Sequence, residues 1–423
     1  MKLSSSRLRP RTALVRRAAM VAAIALATAG LATGCSSSGS SSGSSAGSNT
    51  LTIWTYADPK QAPFIKKLES DFKETHPDVT IKYLVVPFDQ LTNKIITAAS
   101  TRTGPDLIVY DPANTASLVQ AGALADITKE WDGFKDKSEF PEYATRVIDG
   151  KTYSTQAYVN TTALYYNKDI LDKAGISNPP STFEELQSDL KQVVGAGFKG
   201  IAQCGAPTSE CETQAVAWIL GNGGNYNDFQ SPDVKKVFQD WYDLGKAGAL
   251  GADSVGWTQP DAWSAFTKGD YAFTQNGNWQ YQSAKDLTFK WGVAPLPGGK
   301  VAPGGEGQAL GAFSKNRSLA WDYLSSTWLS KAGQVQTFEM SGSIPTRKDA
   351  QADPSVANDP NIVAWTTELK DTGTRSEFKD PSDYLKATTA VGQQWSALRQ
   401  GTTTPDAAAS TLADSLKGVF VSK

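Results

Sequence analysis

The sequence predicts an α/β fold divided into two lobes. The chain has 423 residues, more than one hydrophobic core comfortably holds, so two lobes are the default expectation. Hydrophobic residues make up 40% and charged residues 20% of the chain, which is typical of a globular protein and not of a disordered one. Residues 51–111 alternate strand, helix, strand, helix and strand, and this order predicts a parallel sheet flanked by helices.

The first predicted strands are short and apolar. They are LTIW (51–54), TIKYLVV (80–86) and PDLIVYD (105–111), the last apolar at its centre like a buried parallel strand. Between them, Phe64, Leu68 and Phe72 recur at helical spacing, and DQLTNKIITAAS predicts a second helix. Ligands of such sheets gather at the carboxyl ends of the strands, which here are residues 55–58, 87–89 and 110–114.

A second α/β region begins near residue 158. ALYYNKDIL (163–171) predicts a strand that runs into a helix, and PPSTFEELQSDLKQVV predicts a helix with a capping box of Ser181 and Glu184. Pro232 opens a further helix whose apolar face contains Trp241, which we interpret as a core residue. YAFTQ (271–275) predicts a strand, and Trp279 follows its carboxyl end among amides and glycine.

Residues 1–34 have the pattern of a secretion signal. Six basic residues and no acid precede the apolar run MVAAIALATAGLA, which is too short to span a bilayer. LATGC (31–35) resembles a bacterial lipobox, with Ala32 where Leu is commonest, so we expect Cys35 to receive a lipid. The alternative is an ordinary signal with an incidental Cys. Arg16 and Arg17 leave the export route, Sec or twin-arginine, open.

A Gly/Ser tract follows Cys35, so residues 35–49 predict a flexible tether to the membrane. A coil of its 14 residues has a reach of roughly 20 Å. Without the six signal cations, 35 basic residues face 43 acidic ones, a net charge of about −8. This charge argues against nucleic acid as a partner, because binding phosphates needs a basic face.

The two remaining cysteines are close in sequence. Cys204 and Cys211 belong to a chain that we expect outside the cytoplasm, where thiols oxidise, so a structural disulfide is predicted. A metal pair is the alternative, but it lacks further ligands because His76 is the only histidine. We therefore expect no metal site.

Several segments carry a resemblance to a known family. In chain order they are LTIWTYADP, FKETHPDVTIKYL, TGPDLIVYD, ALYYNKDIL, PPSTFEEL, the Gly-Gly turn at 223–224, AWSAFTKGDYAFTQNGNW, WGVAPLPGG and SGSIPTRKDA. Together they resemble the extracellular solute-binding proteins of ABC sugar importers (family 1, maltose-binding-protein-like), over about residues 50 to 420. Phe273 departs from the pattern, since many relatives carry Met there.

The resemblance implies a two-lobe periplasmic-binding-protein-like fold. Each lobe would be a mostly parallel sheet flanked by helices, with the ligand cleft between the lobes. Crossovers are then expected near residues 158–161, 303–308 and 341–345. The first lobe would combine residues 50–158 with 308–342, and the second residues 159–307 with 343–423.

The resemblance also implies sugar-contacting positions. They are Tyr56, Asp58, Tyr110, Asp111, Asn114, Asn160, Trp279, Glu306 and Gln308. Polar groups suit the hydroxyl rim of a sugar, and the electron-rich face of Trp279 suits its C–H face. Most candidates also have a purely structural interpretation. These are a helix or turn cap for Asp58 and Asp111, packing for Tyr56 and Tyr110, backbone bonding for Asn160, a solvated charge for Glu306 and a core role for Trp279.

The function implied is that of a lipid-anchored receptor on the extracytoplasmic face of the cell membrane. It would bind a carbohydrate, an oligosaccharide, and deliver it to the permease of an ABC transporter, as a monomer and without a cofactor. One alternative is a glycoside hydrolase that uses Asp111 and Glu306 as its carboxylate pair. A receptor for a non-sugar solute, and a sugar sensor or adhesin, are the others.

Overall fold

The computed structural model describes residues 49–60, 62–359, 362–369, 378–380 and 382–420. The predicted signal, Cys35 and all but the last residue of the tether lie outside these ranges. Within them, no helix combines the length and the apolar character needed to cross a membrane.

Strands and helices alternate along most of the described chain. The strands are β1 Thr50–Thr55, β2 Thr80–Val85, β3 Leu107–Tyr110, β4 Thr145–Ile148, β5 Lys151–Gln156, β6 Tyr158–Val159, β7 Thr162–Asn167, β8 Lys199–Ala202, β9 Tyr271–Gly277, β10 Trp291–Ala294, β11 Gly307–Leu310 and β12 Ile344–Pro345. The helices are α1 Pro63–Thr75, α2 Phe88–Ser100, α3 Thr115–Gln120, α4 Thr128–Asp132, α5 Lys168–Ala174, α6 Phe183–Gly195, α7 Ser209–Gly221, α8 Pro232–Lys246, α9 Gln259–Phe266, α10 Tyr281–Ala284, α11 Arg317–Tyr323, α12 Lys331–Ser341, α13 Lys348–Gln351, α14 Pro354–Ala357, α15 Ile362–Glu368, α16 Asp383–Gln400 and α17 Pro405–Ser415.

Two sheets define two lobes. The first lobe contains a six-stranded sheet in the order β2-β1-β3-β11-β5-β4, and the second contains a four-stranded sheet in the order β10-β7-β9-β8. The predicted parallel pairing of β1 with β2 and β3 is confirmed. Beyond these strands, β8 pairs with β9 in parallel, whereas the other pairs in both sheets are antiparallel. The two-lobe α/β class is therefore as expected, with sheets more mixed than the resemblance implied.

Local sequence explains the helix ends. Helix α6 begins at Phe183, and its capping box uses Thr182 and Glu185, one residue later than the predicted pair. The Thr182 side chain accepts from the Glu185 backbone N–H, and the Glu185 carboxylate reaches back to the Thr182 backbone. Ser181 donates its backbone N–H and its hydroxyl to the same carboxylate, each at 2.7 Å. Helix α8 starts at Pro232, as predicted.

Each lobe has its own apolar core. In the first, apolar side chains of β1 and β3 pack against α1, which buries Phe64, Leu68 and Phe72. In the second, Trp241 is fully buried, with ring centroids 5.2 Å from Trp218 and 5.1 Å from Trp395. The interpretation of Trp241 as a core residue is thus confirmed.

Three short segments lie side by side between the two sheets. Strand β6, which joins β5 of the first sheet to β7 of the second, pairs with β12. Next to it, Asn160 pairs with Gly304 in the segment that returns the chain to β11. These are the segments in which the sequence predicts crossovers, although the exact lobe limits of 50–158 plus 308–342 and 159–307 plus 343–423 stay predictions.

The structure joins Cys204 and Cys211 in a buried disulfide bond. Cys204 follows β8, and Cys211 lies in the first turn of α7. The bond therefore holds the start of α7 close to the end of a strand in the second sheet.

Candidate functional site

A narrow cavity lies between the two lobes. Its first-lobe wall comes from the start of α2 and the end of β3, and its second-lobe wall from α7 and the start of α16. Its volume is about 10 Å³, which corresponds to the space of about one water molecule. The lining residues are Phe88, Asp89, Thr92, Asp111, Asn114, Ser209, Thr213, Tyr384 and Leu385.

Asp111 links the two walls of this cavity. One carboxylate oxygen accepts from the backbone N–H of Ala113 at 3.0 Å, so the side chain caps the short helical turn Pro112–Asn114. The other accepts from Asn114 Nδ2 at 3.4 Å and from the hydroxyl of Tyr384, in the second lobe, at 3.3 Å. The cap and the cleft interpretations of Asp111 are therefore compatible.

Glu306 lies in a buried polar cluster beside the crossovers. The side chain is only 9% exposed, and the hydroxyls of Tyr56 and Tyr158 hydrogen-bond to it. Asn160 Nδ2 donates to its Oε2 at 3.4 Å. Burial raises the pKa of Glu306 to about 6, although the two tyrosine hydrogen bonds oppose that rise. The interpretation of Glu306 as a solvated loop charge is therefore wrong.

Asn278 ties the end of β9 to two crossovers. Its Oδ1 accepts from the backbone N–H of Thr161 at 2.8 Å. Its Nδ2 donates to Asn160 Oδ1 at 3.2 Å and to the Gly342 carbonyl at 2.7 Å. The residue directly before Trp279 is thus fixed by the chain segments that connect the lobes.

Trp279 is half-buried, and its indole ring covers Gly277. A Cβ atom added to Gly277 would lie 1.9 Å from Cζ3 of the indole, so only glycine leaves room for the ring there. This close approach gives a physical reason for a glycine two residues before the tryptophan. It holds a partly exposed aromatic face at the carboxyl end of β9.

Tyr56 and Asp58, which follow β1, both have structural roles. Tyr56 places its ring edge-on to Phe88, with centroids 4.9 Å apart, and Asp58 accepts from the Lys60 backbone N–H at 2.9 Å. Asp58 therefore caps a turn, in agreement with the structural interpretation of this residue.

Tyr110 and Gln308 are fully buried. The hydroxyl of Tyr110 bonds to Thr115, while Gln308 accepts from the Ala157 backbone N–H at 2.8 Å. Both side chains are thus held by protein partners on β3 and β11, two interior strands of the first sheet, and their contact with a ligand stays a prediction.

Several side chains of the site were not predicted from the sequence. Tyr158 borders Glu306, Tyr384 reaches Asp111, and Ser209 and Thr213 line the cavity. Asn278 was within reach of sequence reasoning, because it lies next to Trp279 in the same polar stretch. For Tyr384 no local signal existed, since it lies in an ordinary amphipathic helix far along the chain.

Replacing Glu306 with glutamine should change how stability depends on pH. Because the folded pKa, about 6, exceeds the ordinary value of 4.5, the native state binds the proton more tightly than the unfolded chain. The resulting stabilisation is present below pH 4.5 and is lost as the pH rises to 6. Glutamine does not titrate, so the Glu306→Gln variant does not lose this stabilisation. Between pH 4 and pH 7, we expect the unfolding free energy of the variant minus that of the unmodified chain to rise by about 2 kcal/mol.

Urea unfolding at both pH values measures this difference. Glu184→Gln, on the exposed side of α6, controls for the loss of one carboxylate. A Glu306→Gln variant that follows the unmodified chain at both pH values would show that the carboxyl is not buried as described.

The chain matches known proteins over most of its length. The family model described as "Bacterial extracellular solute-binding protein" matches residues 67–364. The maltotriose-binding protein of Pyrococcus abyssi is 27% identical over 338 residues, covering 74% of this chain and 70% of that protein. The galactooligosaccharide-binding protein of Bacillus subtilis is 24% identical over 405 residues, covering 88% and 90%.

Solved structures show the same architecture. The GacH receptor of Streptomyces glaucescens, solved without ligand and with acarbose, superposes with a TM-score of 0.76. It is 26% identical, with 87% of this chain and 97% of that chain covered. Because the family model spans well over half of the sequence and both lobes of the fold, this chain belongs to the bacterial extracellular solute-binding proteins.

Proposed function

We propose that this protein is an extracytoplasmic receptor that binds an oligosaccharide between its lobes and delivers it to the permease of an ABC transporter. It acts as a monomer, without a cofactor and without changing its ligand. The observation that carries the proposal is a cavity lined from both lobes by carboxylate, amide and hydroxyl side chains. Its sequence relatives include binding proteins for maltotriose and galactooligosaccharides.

The lining residues match the chemistry of a sugar. Asp111 and Asp89 offer acceptors to sugar hydroxyls, and Asn114, Ser209 and Thr213 can both donate and accept. Trp279, half-buried beyond the end of β9, supplies an aromatic face for the C–H side of a pyranose. Polar edges and an aromatic face together favour a saccharide over a wholly apolar ligand.

Ligand entry requires the lobes to separate. A cavity of about 10 Å³ has no room for a pyranose, and the Tyr384–Asp111 hydrogen bond crosses it. The crossovers are short, with β6 and β12 of two residues each, so a hinge there disturbs few backbone bonds. A bound sugar would then stabilise a closed form by contacting both walls at once.

A thermal unfolding screen tests the proposal. Maltotriose, galactooligosaccharides and acarbose are each added at increasing concentration to the mature chain. At 100 times its dissociation constant a ligand stabilises the folded state by about 2.7 kcal/mol, so we expect a clear rise in melting temperature with at least one saccharide.

The alternatives give different results when peptides and organic acids are added to the screen and the saccharide samples are analysed by chromatography. A response to peptides or organic acids and to no saccharide would sink the sugar proposal. Shortened saccharide products on a chromatogram would favour the hydrolase, which the raised pKa of Glu306 and the nearby Asp111 charge make the second candidate. We expect every saccharide to be recovered intact.

We further propose that a lipid on Cys35 anchors the protein to the extracytoplasmic face of the cell membrane. The lipobox-like LATGC and the Gly/Ser tract behind it support this anchor. Cell fractionation should find the unmodified chain with the membranes and Cys35→Ser in the medium or the soluble fraction. Equal membrane association of both would contradict the anchor.

A further inference from the structure

A second cavity lies within the second lobe and shares no lining residue with the first. Its volume is about 340 Å³. Three segments form its walls: Gly205 in the loop after β8, the end of α8 with the loop that follows it, and the C-terminal end of α16 with Thr402. Its polar lining side chains are Ser254, Ser396, Arg399, Gln400 and Thr402. We call it the Arg399 pocket.

Arg399 is an unusual residue for the interior of a lobe. Its side chain is only 7% exposed. Nη1 donates to the carbonyl of Cys204, and Nη2 lies 3.5 Å from the Ser254 hydroxyl. Nε has no acceptor within the described ranges, and no described carboxylate forms a salt bridge with this guanidinium. A buried charge without a counterion is costly, because desolvation is not offset by an opposite charge.

The electrostatic surroundings agree with this picture. Burial lowers the pKa of Arg399 to about 10, and no neighbouring charge contributes to or opposes that shift. The Asp253 carboxylate, beside the cavity-lining Gly251, already accepts from the Tyr271 hydroxyl at 2.9 Å and from Lys199 at 3.5 Å. The cavity is therefore lined by a guanidinium whose charge no carboxylate of the described residues balances.

Other polar groups line the cavity near the guanidinium, and the Ser396 hydroxyl donates to the Gly205 carbonyl at 2.6 Å. Gln400 Nε2 donates to Ser396 Oγ at 2.8 Å, and the exposed position of Gln400 places its amide at the rim. A Cβ added to Gly401 would lie 3.8 Å from the ammonium of Lys246, so a second cation lies close to this end of α16. Hydroxyl and amide groups thus line the cavity together with Arg399, and Lys246 lies near the same end of α16 without lining it.

We propose that the Arg399 pocket binds a small oxyanion, with Arg399 as its counterion. A planar guanidinium matches the paired oxygens of phosphate, sulfate and carboxylate groups. The site is separate from the interlobe cavity, because Tyr384 and Arg399 lie near opposite ends of α16, a helix of 18 residues and about 27 Å. The proposal therefore stands whether or not the protein binds a saccharide.

Inorganic phosphate is the first probe. Thermal unfolding and isothermal titration of the mature chain should show saturable phosphate binding, compared with sodium chloride at equal ionic strength. Gln400→Glu places a carboxylate at the exposed rim of the pocket without touching the core, and it should weaken phosphate binding at least tenfold. Gln393→Glu adds the same charge to an exposed site of α16 outside the pocket and should leave the affinity within twofold.

Two further experiments identify the preferred anion and test whether it binds outside the interlobe cavity. Sulfate and citrate titrations show whether tetrahedral oxyanions or carboxylates bind more tightly, and either order supports an oxyanion site. Saturating saccharide should leave the phosphate affinity unchanged. The proposal is overturned if none of the three anions binds beyond the chloride control, if Gln400→Glu binds phosphate normally, or if saccharide competes with phosphate.

Discussion

Replacing Trp279 with alanine is expected to weaken oligosaccharide binding roughly 100-fold, or about 2.8 kcal/mol, while the protein remains folded. The ring is half-buried and covers Gly277, so it is held rigidly with part of its surface exposed. Such a preorganised ring loses little conformational entropy when a sugar stacks on it. Isothermal titration with the best saccharide from the screen measures the effect.

Two matched variants separate stacking from simple packing. Trp279→Phe keeps a smaller aromatic face and should retain a larger part of the affinity than alanine does. Trp321→Ala removes another half-buried Trp, which packs near Phe134 in the first lobe, and should leave binding unchanged. If Trp279→Ala abolished cooperative unfolding instead, the ring would be a core residue and not a binding surface.

Local periodicity was sufficient to predict much of the first lobe. The apolar run in 107–110 and the helical spacing of Phe64, Leu68 and Phe72 depend only on neighbours in sequence, and β3 and α1 form there. The carboxyl ends of parallel strands then placed Asp111 beside the cavity. The position of Trp279 beyond β9 followed from the same rule.

Contacts between distant segments were not predictable in this way. Tyr384 reaches Asp111 across 273 positions, and Gln308 bonds to Ala157 across 151. Nothing near either residue distinguishes a side chain that bonds across a cleft from one that meets solvent or core. Gln308 was predicted as a cleft residue from the family resemblance, and the structure places it on an interior strand where backbone groups satisfy its amide.

The antiparallel pairing of strands was not predictable from local sequence either. Strand β11 enters the first sheet directly after the crossover segment that contains Gly304, and it runs antiparallel to β3. Its direction is set by where the chain returns from the other lobe, and not by the composition of 307–310. Strand direction is thus a property of the connections, which a pattern of apolar residues does not encode.

A second substitution with a large effect, this time on stability, lies where α16 packs against α7. Gly392 of α16 faces the start of α7, and a Cβ added there would lie 2.0 Å from the carbonyl oxygen of Thr208. Because the obstacle is backbone, the helices themselves must move apart. We expect Gly392→Ala to lower the free energy of unfolding by about 3 kcal/mol, as overpacked interiors do. Chemical denaturation measures it.

The direction of the change in unfolding free energy is informative. A glycine-to-alanine substitution in an unobstructed helix stabilises the protein by about 1 kcal/mol, so a loss of stability points to the obstructing backbone. Gly195 of α6 is the matched control, since a Cβ there meets no atom within 4 Å, and Gly195→Ala should be neutral or stabilising. A Gly392→Ala protein as stable as the unmodified chain would contradict the close approach of the two helices.

The same variant connects the packing of the second lobe to binding. Helix α7 carries Ser209 and Thr213, and α16 carries Tyr384, so their separation displaces one whole wall of the interlobe cavity. Gly392→Ala should therefore weaken saccharide binding even at temperatures where it is fully folded, whereas Gly195→Ala should not. A destabilised variant with unchanged affinity would mean that the first lobe and Trp279 alone determine recognition, and that the α7–α16 wall contributes only stability.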